Sequence, residues 1–288
     1  MSEGVAIVGA GRAGRGLARA LRASGVPVTA LIARRAAEGD PDGAVVGAAA
    51  DAARSAGLVL IAVQDAALPA AIAAVAEGAG PATVVLQLSG SSPDGGLAAV
   101  RARGAAAGTF HPLVPLAEPA RAVQALRGGW VGVGGDPDAV RAGERLAGAV
   151  GARTLTLPAG ERERALYHAA AVVASNFPVA LAALSEALFA RAGVGGEAAR
   201  DATRQLMRGA LDNLAAHPPR AALTGPVVRG DAATVLRHLG ALSDDGPAFD
   251  LYVAATTVLR ALADSSLDPA AAAALDRAIA GSADAAPP

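Results

Sequence analysis

The chain opens with an apolar run that passes directly into a glycine-rich turn, Val5-Ala6-Ile7-Val8-Gly9-Ala10-Gly11-Arg12-Ala13-Gly14, and an Ala/Leu-rich stretch follows. Glycines at this spacing allow a tight turn, a close approach of the backbone to a pyrophosphate, and close packing of helix on strand. The free N–H groups of a helix N-terminus attract an anion. Because a strand precedes the turn and a helix follows it, this stretch predicts a dinucleotide-binding domain.

The rest of the first half repeats this alternation of strand and helix. Apolar runs without charge, separated by helical stretches, are typical of a parallel sheet that is covered on both faces. Helices are predicted near residues 12–23, 66–77, 95–103 and 137–150. Strands are predicted at residues 5–8, 28–32, 44–46, 58–63, 83–88, 106–110, 130–133 and 154–157.

The pattern changes after Pro158-Ala159-Gly160, because the sequence that follows predicts helices only. We therefore expect an α/β protein in which residues 1–159 form a Rossmann-type dinucleotide-binding domain and residues 160–280 an all-helical domain. Residues 281–288 are expected to be a disordered tail. The helices are predicted at about 161–192, 196–216, 232–242 and 248–263, with a last one starting at Pro269.

One stretch of the long predicted helix, residues 165–185, carries no formal charge and is as long as a membrane span. It also contains His168, Ser175, Asn176 and Pro178, which a bilayer penalises. We interpret it as a buried helix of a soluble protein, kinked at Pro178. The first residues show no signal-peptide pattern, so we expect a cytoplasmic protein without a membrane partner.

Composition excludes several kinds of chemistry. The chain has 288 residues with 25 basic and 26 acidic side chains, and it has no Cys. Thiol nucleophiles, disulfides and metal-thiolate sites are therefore impossible, and we predict no metal site. The near-neutral balance argues against a nucleic-acid partner. All 25 basic residues are arginines, so a catalytic lysine is also impossible.

The end of the second predicted strand indicates which dinucleotide binds. An NAD enzyme usually has an acidic residue here that holds the ribose 2′-OH. This strand instead runs into Ala33-Arg34-Arg35, with no carboxylate before Glu38. Arginines suit a 2′-phosphate, which favours NADP as cofactor. The alternative is a solvated arginine pair at a strand end.

Three further strand ends carry polar residues, and ligands of open α/β sheets bind at this edge. The fourth strand ends Val63-Gln64-Asp65, the fifth runs into Ser89, and the sixth ends at His111. Asp65 and Ser89 could instead be helix caps, and His111 a hydrogen-bonded strand end. The predicted cofactor-binding residues are Gly9, Gly11, Arg12, Ala13, Gly14, Arg34, Arg35, Val63, Gln64, Asp65 and Ser89.

The helical half holds a second group of polar residues. His168 and Ser175 lie on one helical face by their spacing, and Asn176 is adjacent to Ser175. Polar groups in a charge-free helix need hydrogen-bond partners or a cleft. We expect a catalytic role for them, the alternative being satisfied core polar groups. Thr224 and Arg229, in a Gly/Pro-rich loop, are candidates for substrate binding, although Arg229 could simply pair with Asp231.

Five motifs in this order resemble a known group of bacterial proteins, which join an N-terminal Rossmann-like domain to a C-terminal helical domain of unknown function. That group is related to 6-phosphogluconate dehydrogenase, β-hydroxyacid dehydrogenases, ketopantoate reductase, pyrroline-5-carboxylate reductase and prephenate dehydrogenase. The resemblance implies an NADP-linked oxidoreductase with a helical dimerisation domain. The motifs are Gly9–Gly14, Leu88-Ser89-Gly90, His111-Pro112-Leu113, Tyr167-His168 with Ser175-Asn176, and Thr224-Gly225-Pro226 through Arg229-Gly230-Asp231.

The absence of lysine separates the chain from some of these relatives. β-Hydroxyacid dehydrogenases and the usual ketopantoate reductases place a catalytic lysine on the helix after the Rossmann domain, a region in which this chain has His168. His111-Pro112-Leu113 is similar to the His-Pro-Met element of prephenate dehydrogenases, where the His serves catalysis. Gln87 stands where the group often has His, so no role is assigned to it.

We therefore expect an NADPH-dependent reductase of a C=O or C=N group in a small, anionic molecule. His168 is the first choice of proton donor and His111 the second, or a group that polarises the substrate. Ser175 and Asn176 would orient the reacting atom, and Arg229 would hold a carboxylate. A lysine-free ketopantoate reductase and an imine reductase both fit. A non-catalytic NADP sensor or dimeric interaction protein is the alternative, and a homodimer is expected in either case.

Overall fold

The computed structural model describes residues 4–35, 38–91 and 96–281 of the chain. The predicted tail from residue 282 onward and the start of the helix predicted at 95–103 lie outside the described residues. Each of the eight predicted strands is present, and together they form one sheet. The strands are β1 (Val5–Val8), β2 (Val28–Ala33), β3 (Val45–Val46), β4 (Leu58–Ile61), β5 (Val84–Gln87), β6 (Ala106–Pro112), β7 (Trp130–Gly135) and β8 (Arg153–Thr156).

The order of the strands in the sheet is β3-β2-β1-β4-β5-β6-β7-β8. The chain leaves β1 toward β2 on one side and later returns to add β4 on the other side. This reversal opens a crevice beyond the carboxyl ends of β1 and β4, which is where Rossmann folds bind their ligand. The expected Rossmann-type α/β class is therefore confirmed.

The expectation of a wholly parallel sheet is wrong at one pair. β6 and β7 are antiparallel, with Pro112 opposite Val131. The antiparallel pairing continues one residue past the end of β6, where the Leu113 N–H donates to the Trp130 carbonyl at 2.8 Å. The chain thus turns back at the edge where β6 ends, instead of crossing to the other edge as a parallel connection must.

Helices cover the sheet, and their apolar faces form its core. Leu17 and Leu21 of the first helix and Phe110 of β6 are fully buried in one cluster, and Ile72 and Val100 are fully buried in another. Burial on both faces explains why these strands have no polar alternation. The helices are α1 (Arg12–Ala23), α2 (Ala49–Ser55), α3 (Leu68–Ala76), α4 (Ala98–Arg101), α5 (Ala122–Leu126), α6 (Pro137–Ala149) and α7 (Glu161–Ser175).

The first compact unit of the chain ends at Asn176, whereas the sequence placed the boundary at residue 159. Side-chain contacts of α7 account for the difference. The Arg164 guanidinium is buried and donates from Nε to the Pro158 carbonyl at 3.1 Å. The Tyr167 hydroxyl contacts β6 through His111. These contacts attach α7 to the sheet, although its sequence reads as part of the helical half.

In the second unit, every regular element of the described residues, which end at 281, is a helix, as predicted. Asp231, Asp245 and Asp268 are N-caps whose carboxylates accept from backbone N–H groups of the first helical turn. Val235 and Leu275 are fully buried in the core of this unit. Its helices are α8 (Phe177–Arg191), α9 (Gly196–Ala216), α10 (Pro219–Ala222), α11 (Ala232–Leu242), α12 (Gly246–Ala263) and α13 (Pro269–Ala280).

The single helix expected over 161–192 is in fact two helices, which meet at Asn176. Pro178 has no N–H for the helical ladder and lies in the first turn of the second helix, where none is needed. The expectation that residues 165–185 are buried is also wrong. Within the described chain none of them is buried, because neither helix is covered on all sides. By length and hydropathy the segment Glu161–Arg191 would also suit a membrane span.

The glycine turn after β1 has the tight contacts that its sequence predicted. Gly9 has a φ of 114°, and a Cβ atom there would lie 2.3 Å from the Ala62 carbonyl oxygen. A Cβ atom on Gly14 would lie 1.8 Å from the carbonyl oxygen of Gly9. Around Gly11, in contrast, a Cβ atom would meet nothing within 4 Å. Two glycines therefore permit backbone contact, and the third borders open space.

We expect Gly14→Ala to lower the free energy of unfolding by about 1–3 kcal/mol, since the added methyl group forces α1 away from the turn. Gly11→Ala is the matched control. Its backbone is extended, with φ −78° and ψ −171°, so the change should cost under about 1 kcal/mol as a weaker N-cap. Urea unfolding followed by circular dichroism measures both, and equal losses would contradict the assigned contact.

Candidate functional site

The candidate site lies along the carboxyl edge of β1, β4, β5 and β6, which are neighbours and run parallel. Carboxyl ends of parallel strands meet at one edge of a sheet, so residues far apart in sequence come together there. The glycine turn leaves β1 at this edge, and Asp65, Ser89 and His111 follow or end the other three strands. All of these residues belong to the first compact unit.

The glycine turn forms a cradle that suits a pyrophosphate. The first turn of α1 contains no acidic residue, and its N-cap Gly11 makes no side-chain hydrogen bond. The open space over Gly11 leaves room for a ligand to approach the backbone. Free N–H groups and the positive end of the helix dipole point to an anion at this position. The residues present therefore fit a dinucleotide.

Two positively charged side chains follow the end of β2. Arg34 and Arg35 are both exposed directly after the strand. The nearby carboxylates of Asp40 and Asp42 bind Arg15 of α1 instead, at 2.6 Å and 2.9 Å. Arg15 holds the pKa of the Asp40 carboxyl below its usual value, and Arg19 together with Arg15 lowers the pKa of the Asp42 carboxyl, so both stay ionised. Two carboxylates that could have repelled a 2′-phosphate are thus neutralised by α1.

Polar side chains connect the ends of β4 and β5. Ser91 donates to the Asp65 carboxylate at 3.2 Å, and the hydroxyls of Ser91 and Ser89 are 3.1 Å apart. Gln87, which is buried, donates to Thr109 at 2.9 Å and accepts from the Ser89 N–H at 2.7 Å. Gln87 therefore fixes the loop that carries the two serines, a structural role that the sequence left unassigned.

His111 is the centre of a small cluster. Its Nδ1 lies 2.8 Å from the Tyr167 hydroxyl, and its ring centroid lies 6.0 Å from that of His168. A Cβ atom on Gly90 would lie within 2.8 Å of three imidazole atoms, so the backbone of the β5 loop lies against the ring. The predicted proton donors, His111 and His168, are thus close together in space, although far apart in sequence.

Burial controls the charge of this cluster. Desolvation lowers the pKa of His111 from 6.5 to about 4, and the positive charges of His168 and Arg164 add to the effect. Asp65 opposes it weakly. Burial also raises the pKa of Tyr167 to about 12. At neutral pH, His111 is therefore an uncharged imidazole and Tyr167 an uncharged phenol.

Other predicted site residues are not part of this cluster. Ser175 is exposed, and its hydroxyl lies within hydrogen-bond distance of two acceptors, the Ala171 carbonyl at 2.7 Å and the Asn176 side-chain oxygen at 2.8 Å. Ser175 and Asn176 are therefore engaged locally at the end of α7. Thr224 and Arg229 belong to the second compact unit. Val63 is partly exposed, and Gln64 is exposed at the end of β4.

The sequence did not single out Tyr167 or Gly90 as site residues. Tyr167 is one of only two tyrosines in the chain. Arg164, Tyr167 and His168 are spaced three and four residues apart, which places them on neighbouring positions of one helix face. That spacing was a usable signal. No sequence signal indicated the contact of Gly90 with the imidazole ring of His111, because that contact depends on how the loop after β5 folds.

Two domain families match the chain. Residues 2–112 match the model of a Rossmann-like domain, and residues 130–258 match DUF2520, a domain of unknown function. The chain therefore joins a Rossmann-like domain to a DUF2520 domain, which confirms the resemblance drawn from the motifs. No curated protein sequence matches the chain.

Solved structures share this fold across nearly the whole chain. The protein BF3122 of Bacteroides fragilis is 20% identical with a TM-score of 0.72, covering 89% of this chain and 97% of its own. An imine reductase of Myxococcus stipitatus in complex with NADP⁺ is 15% identical, with a TM-score of 0.63 and coverage of 91% and 94%. A pyrroline-5-carboxylate reductase of Coxiella burnetii is 15% identical, with a TM-score of 0.58 and full coverage of both chains. At these identities the likeness shows the fold.

Because the folded protein holds His111 uncharged down to about pH 4, the unfolded chain takes up a proton first as the pH falls below 6.5. Stability contributed by this histidine is therefore lost between these two values. We expect the wild type to lose about 2 kcal/mol more than His111→Gln between about pH 7 and about pH 5. Urea unfolding at both pH values measures this, with the exposed His217→Gln as control. An identical pH dependence of wild type and His111→Gln would contradict the assigned burial.

Proposed function

We propose that this protein is an NADPH-dependent reductase that delivers hydride to the C=O or C=N group of a small, anionic molecule. The observation that carries the proposal is the position of the His111, Tyr167 and His168 cluster on the sheet edge that also bears the glycine cradle. A nicotinamide-dependent reductase needs a site that binds the dinucleotide phosphates and side chains nearby that position and protonate the substrate. The candidates for both roles belong to this edge of the sheet. The reductases of the same fold support this class.

The cofactor would be held by the residues predicted from sequence. The backbone of Gly9, Gly11 and Gly14, with the N-terminus of α1, would take the pyrophosphate. Arg34 and Arg35 would take the 2′-phosphate, helped by Arg12. Val63, Gln64, Asp65 and Ser89 would line the ribose and nicotinamide side, next to Ala13 of the turn. The bound dinucleotide supplies the hydride.

The protein's own part is to position and protonate the substrate. His168 is the proposed proton donor, because it lies beside His111, and an imidazole can act as a general acid. His111 is uncharged, which suits hydrogen-bond donation to the reacting oxygen or nitrogen better than proton transfer. Ser175 and Asn176 would orient the reacting atom, and Thr224 and Arg229 would bind the anionic group.

We further propose a homodimer formed through the helical region. Several large apolar side chains of α8 and α9 are exposed, among them Val179 at 69%, Leu206 at 64% and Leu211 at 64%. We take these exposed apolar side chains, on two helices that pack against each other, as the contact surface. In this proposal a second copy of the chain covers the apolar surface of α8 and α9. Insertion of this surface into a lipid bilayer is the alternative. A cytoplasmic location is part of the same proposal, based on the first residues, which show no signal-peptide pattern.

Consumption of NADPH tests the function. Across a panel of keto acids, cyclic imines and aldehydes, we expect turnover with NADPH on at least one class. On that substrate His168→Ala should lower kcat by a factor of about 10²–10⁴, the range of general acid catalysis. Full activity of His168→Ala would remove the proton-donor role. Tight NADPH binding without turnover on any compound would instead favour a cofactor sensor.

Calorimetry tests the cofactor preference. Arg34→Ala with Arg35→Ala should weaken NADPH binding by about tenfold or more, since charged hydrogen bonds to the 2′-phosphate are lost. NADH binding should stay unchanged. Arg141→Ala, which alters an exposed arginine of α6, is the matched control. Equal loss for both dinucleotides would contradict the assigned 2′-phosphate contacts.

Light scattering tests the dimer, whose expected mass is twice the 27.9 kDa of one chain. Leu206→Glu with Leu211→Glu should give monomers, because buried carboxylates are costly at an apolar interface. Val46→Glu, at an exposed residue of β3, should leave the mass unchanged. A monomeric wild type that associates with lipid vesicles would instead favour the bilayer as occupant.

A further inference from the structure

The chain has two tyrosines, and the structure pairs each with the Nδ1 atom of a histidine. Tyr167 lies 2.8 Å from His111, and Tyr252 lies 2.7 Å from His238. The ring planes are nearly perpendicular in both pairs, at 73° and 86°. The pairs differ in their surroundings, because His238 is exposed whereas His111 is partly buried at the sheet edge. Only the first pair lies beside a second histidine, His168.

The neighbours of the first pair restrict its geometry. A Cβ atom on Gly132 would lie 2.6 Å from the Tyr167 hydroxyl, so the phenol end occupies space that any other residue would fill. On the other side, Gly90 lies against the imidazole ring of His111. The hydrogen bond therefore has little freedom to rearrange.

The direction of this hydrogen bond follows from its partners. Among the described residues, Tyr167 has no second hydrogen-bond acceptor for its hydroxyl proton. A half-buried hydroxyl that donates to nothing costs free energy, and an imidazole nitrogen is a better acceptor than a phenol oxygen. The hydroxyl therefore donates to Nδ1. A neutral imidazole carries one proton, which must then lie on Nε2.

We propose that Tyr167 is a positioning residue that fixes His111 as the Nε2–H tautomer and so makes it a neutral hydrogen-bond donor to the reacting oxygen or nitrogen of the substrate. The hydrogen-bond role of His111 rests on the proposed reductase function, whereas its tautomer does not. Within the described part of the chain, Nε2 has no protein partner and remains available to a ligand. Tyr167 itself transfers no proton in this scheme, because its phenol stays protonated.

Imidazole nitrogen NMR of histidine-labelled protein tests the tautomer directly. In the wild type we expect the His111 signals, identified by their loss in His111→Gln, to show a protonated Nε2 and a bare Nδ1 at neutral pH. Tyr167→Phe removes only the hydroxyl and should shift the tautomer ratio of His111 toward Nδ1–H by about tenfold, the equivalent of one hydrogen bond. A wild type with its proton on Nδ1 would overturn the proposal, whether or not the variant folds.

Tyr252→Phe is the matched control, since it removes the same hydroxyl from the second pair. It should change the His238 signals and leave those of His111 unaltered. On a substrate found in the NADPH panel, Tyr167→Phe should lower kcat about tenfold and leave NADPH affinity unchanged. Unaltered His111 signals and kcat in Tyr167→Phe would also overturn the proposal. Absence of turnover in the wild type would count against the reductase function alone, because the tautomer is read without substrate.

Discussion

The contact between Gly14 and the Gly9 carbonyl is the constraint on which the first unit depends. No side chain fits between these two backbone segments, since even a methyl carbon would lie 1.8 Å from that oxygen. The contact brings the N-terminus of α1 to the carboxyl end of β1, with its free N–H groups at the sheet edge. The strand order then adds β2 on one side and β4 on the other, which opens the crevice at the same point. Fold and anion cradle thus have one physical origin.

The hydrogen bond between Tyr167 and His111 has a comparable place in the candidate site. It attaches α7 to β6 and links two histidines whose separation in sequence gave no hint of contact. The burial that keeps His111 uncharged also raises the pKa of Tyr167, so desolvation determines the protonation state of both side chains. In the proposed mechanism, His111 orients the substrate and His168 protonates it, so the two tasks fall to two neighbouring side chains.

Much of this could be predicted from sequence because the decisive signals are local. Strand positions and the glycine turn depend on residue type and short spacing, and both were found. The antiparallel β7 was missed because the direction of an apolar strand is not encoded in its composition. The sequence predicted a kink at Pro178, whereas the structure interrupts the helix two residues earlier, at Asn176. The exposure of α7 and α8 was missed because a charge-free, alanine-rich run reads as buried whatever covers it. Roles for Ser175, Asn176, Thr224 and Arg229 stay predictions.

The sequence by itself determined the class of fold, the place of the phosphate cradle and the range of possible chemistry. A chain without Cys and with arginine as its only cation cannot use a thiolate or a lysine, wherever its residues lie. Only the tertiary structure decided which side chains act together. The carboxylates of Asp40 and Asp42 form ion pairs with Arg15. His111 contacts Tyr167 and lies beside His168, which are 56 residues or more away in the chain. Strand order and packing bring these distant segments together. Local pattern fixes what each segment is, and burial then fixes which of its groups carry charge.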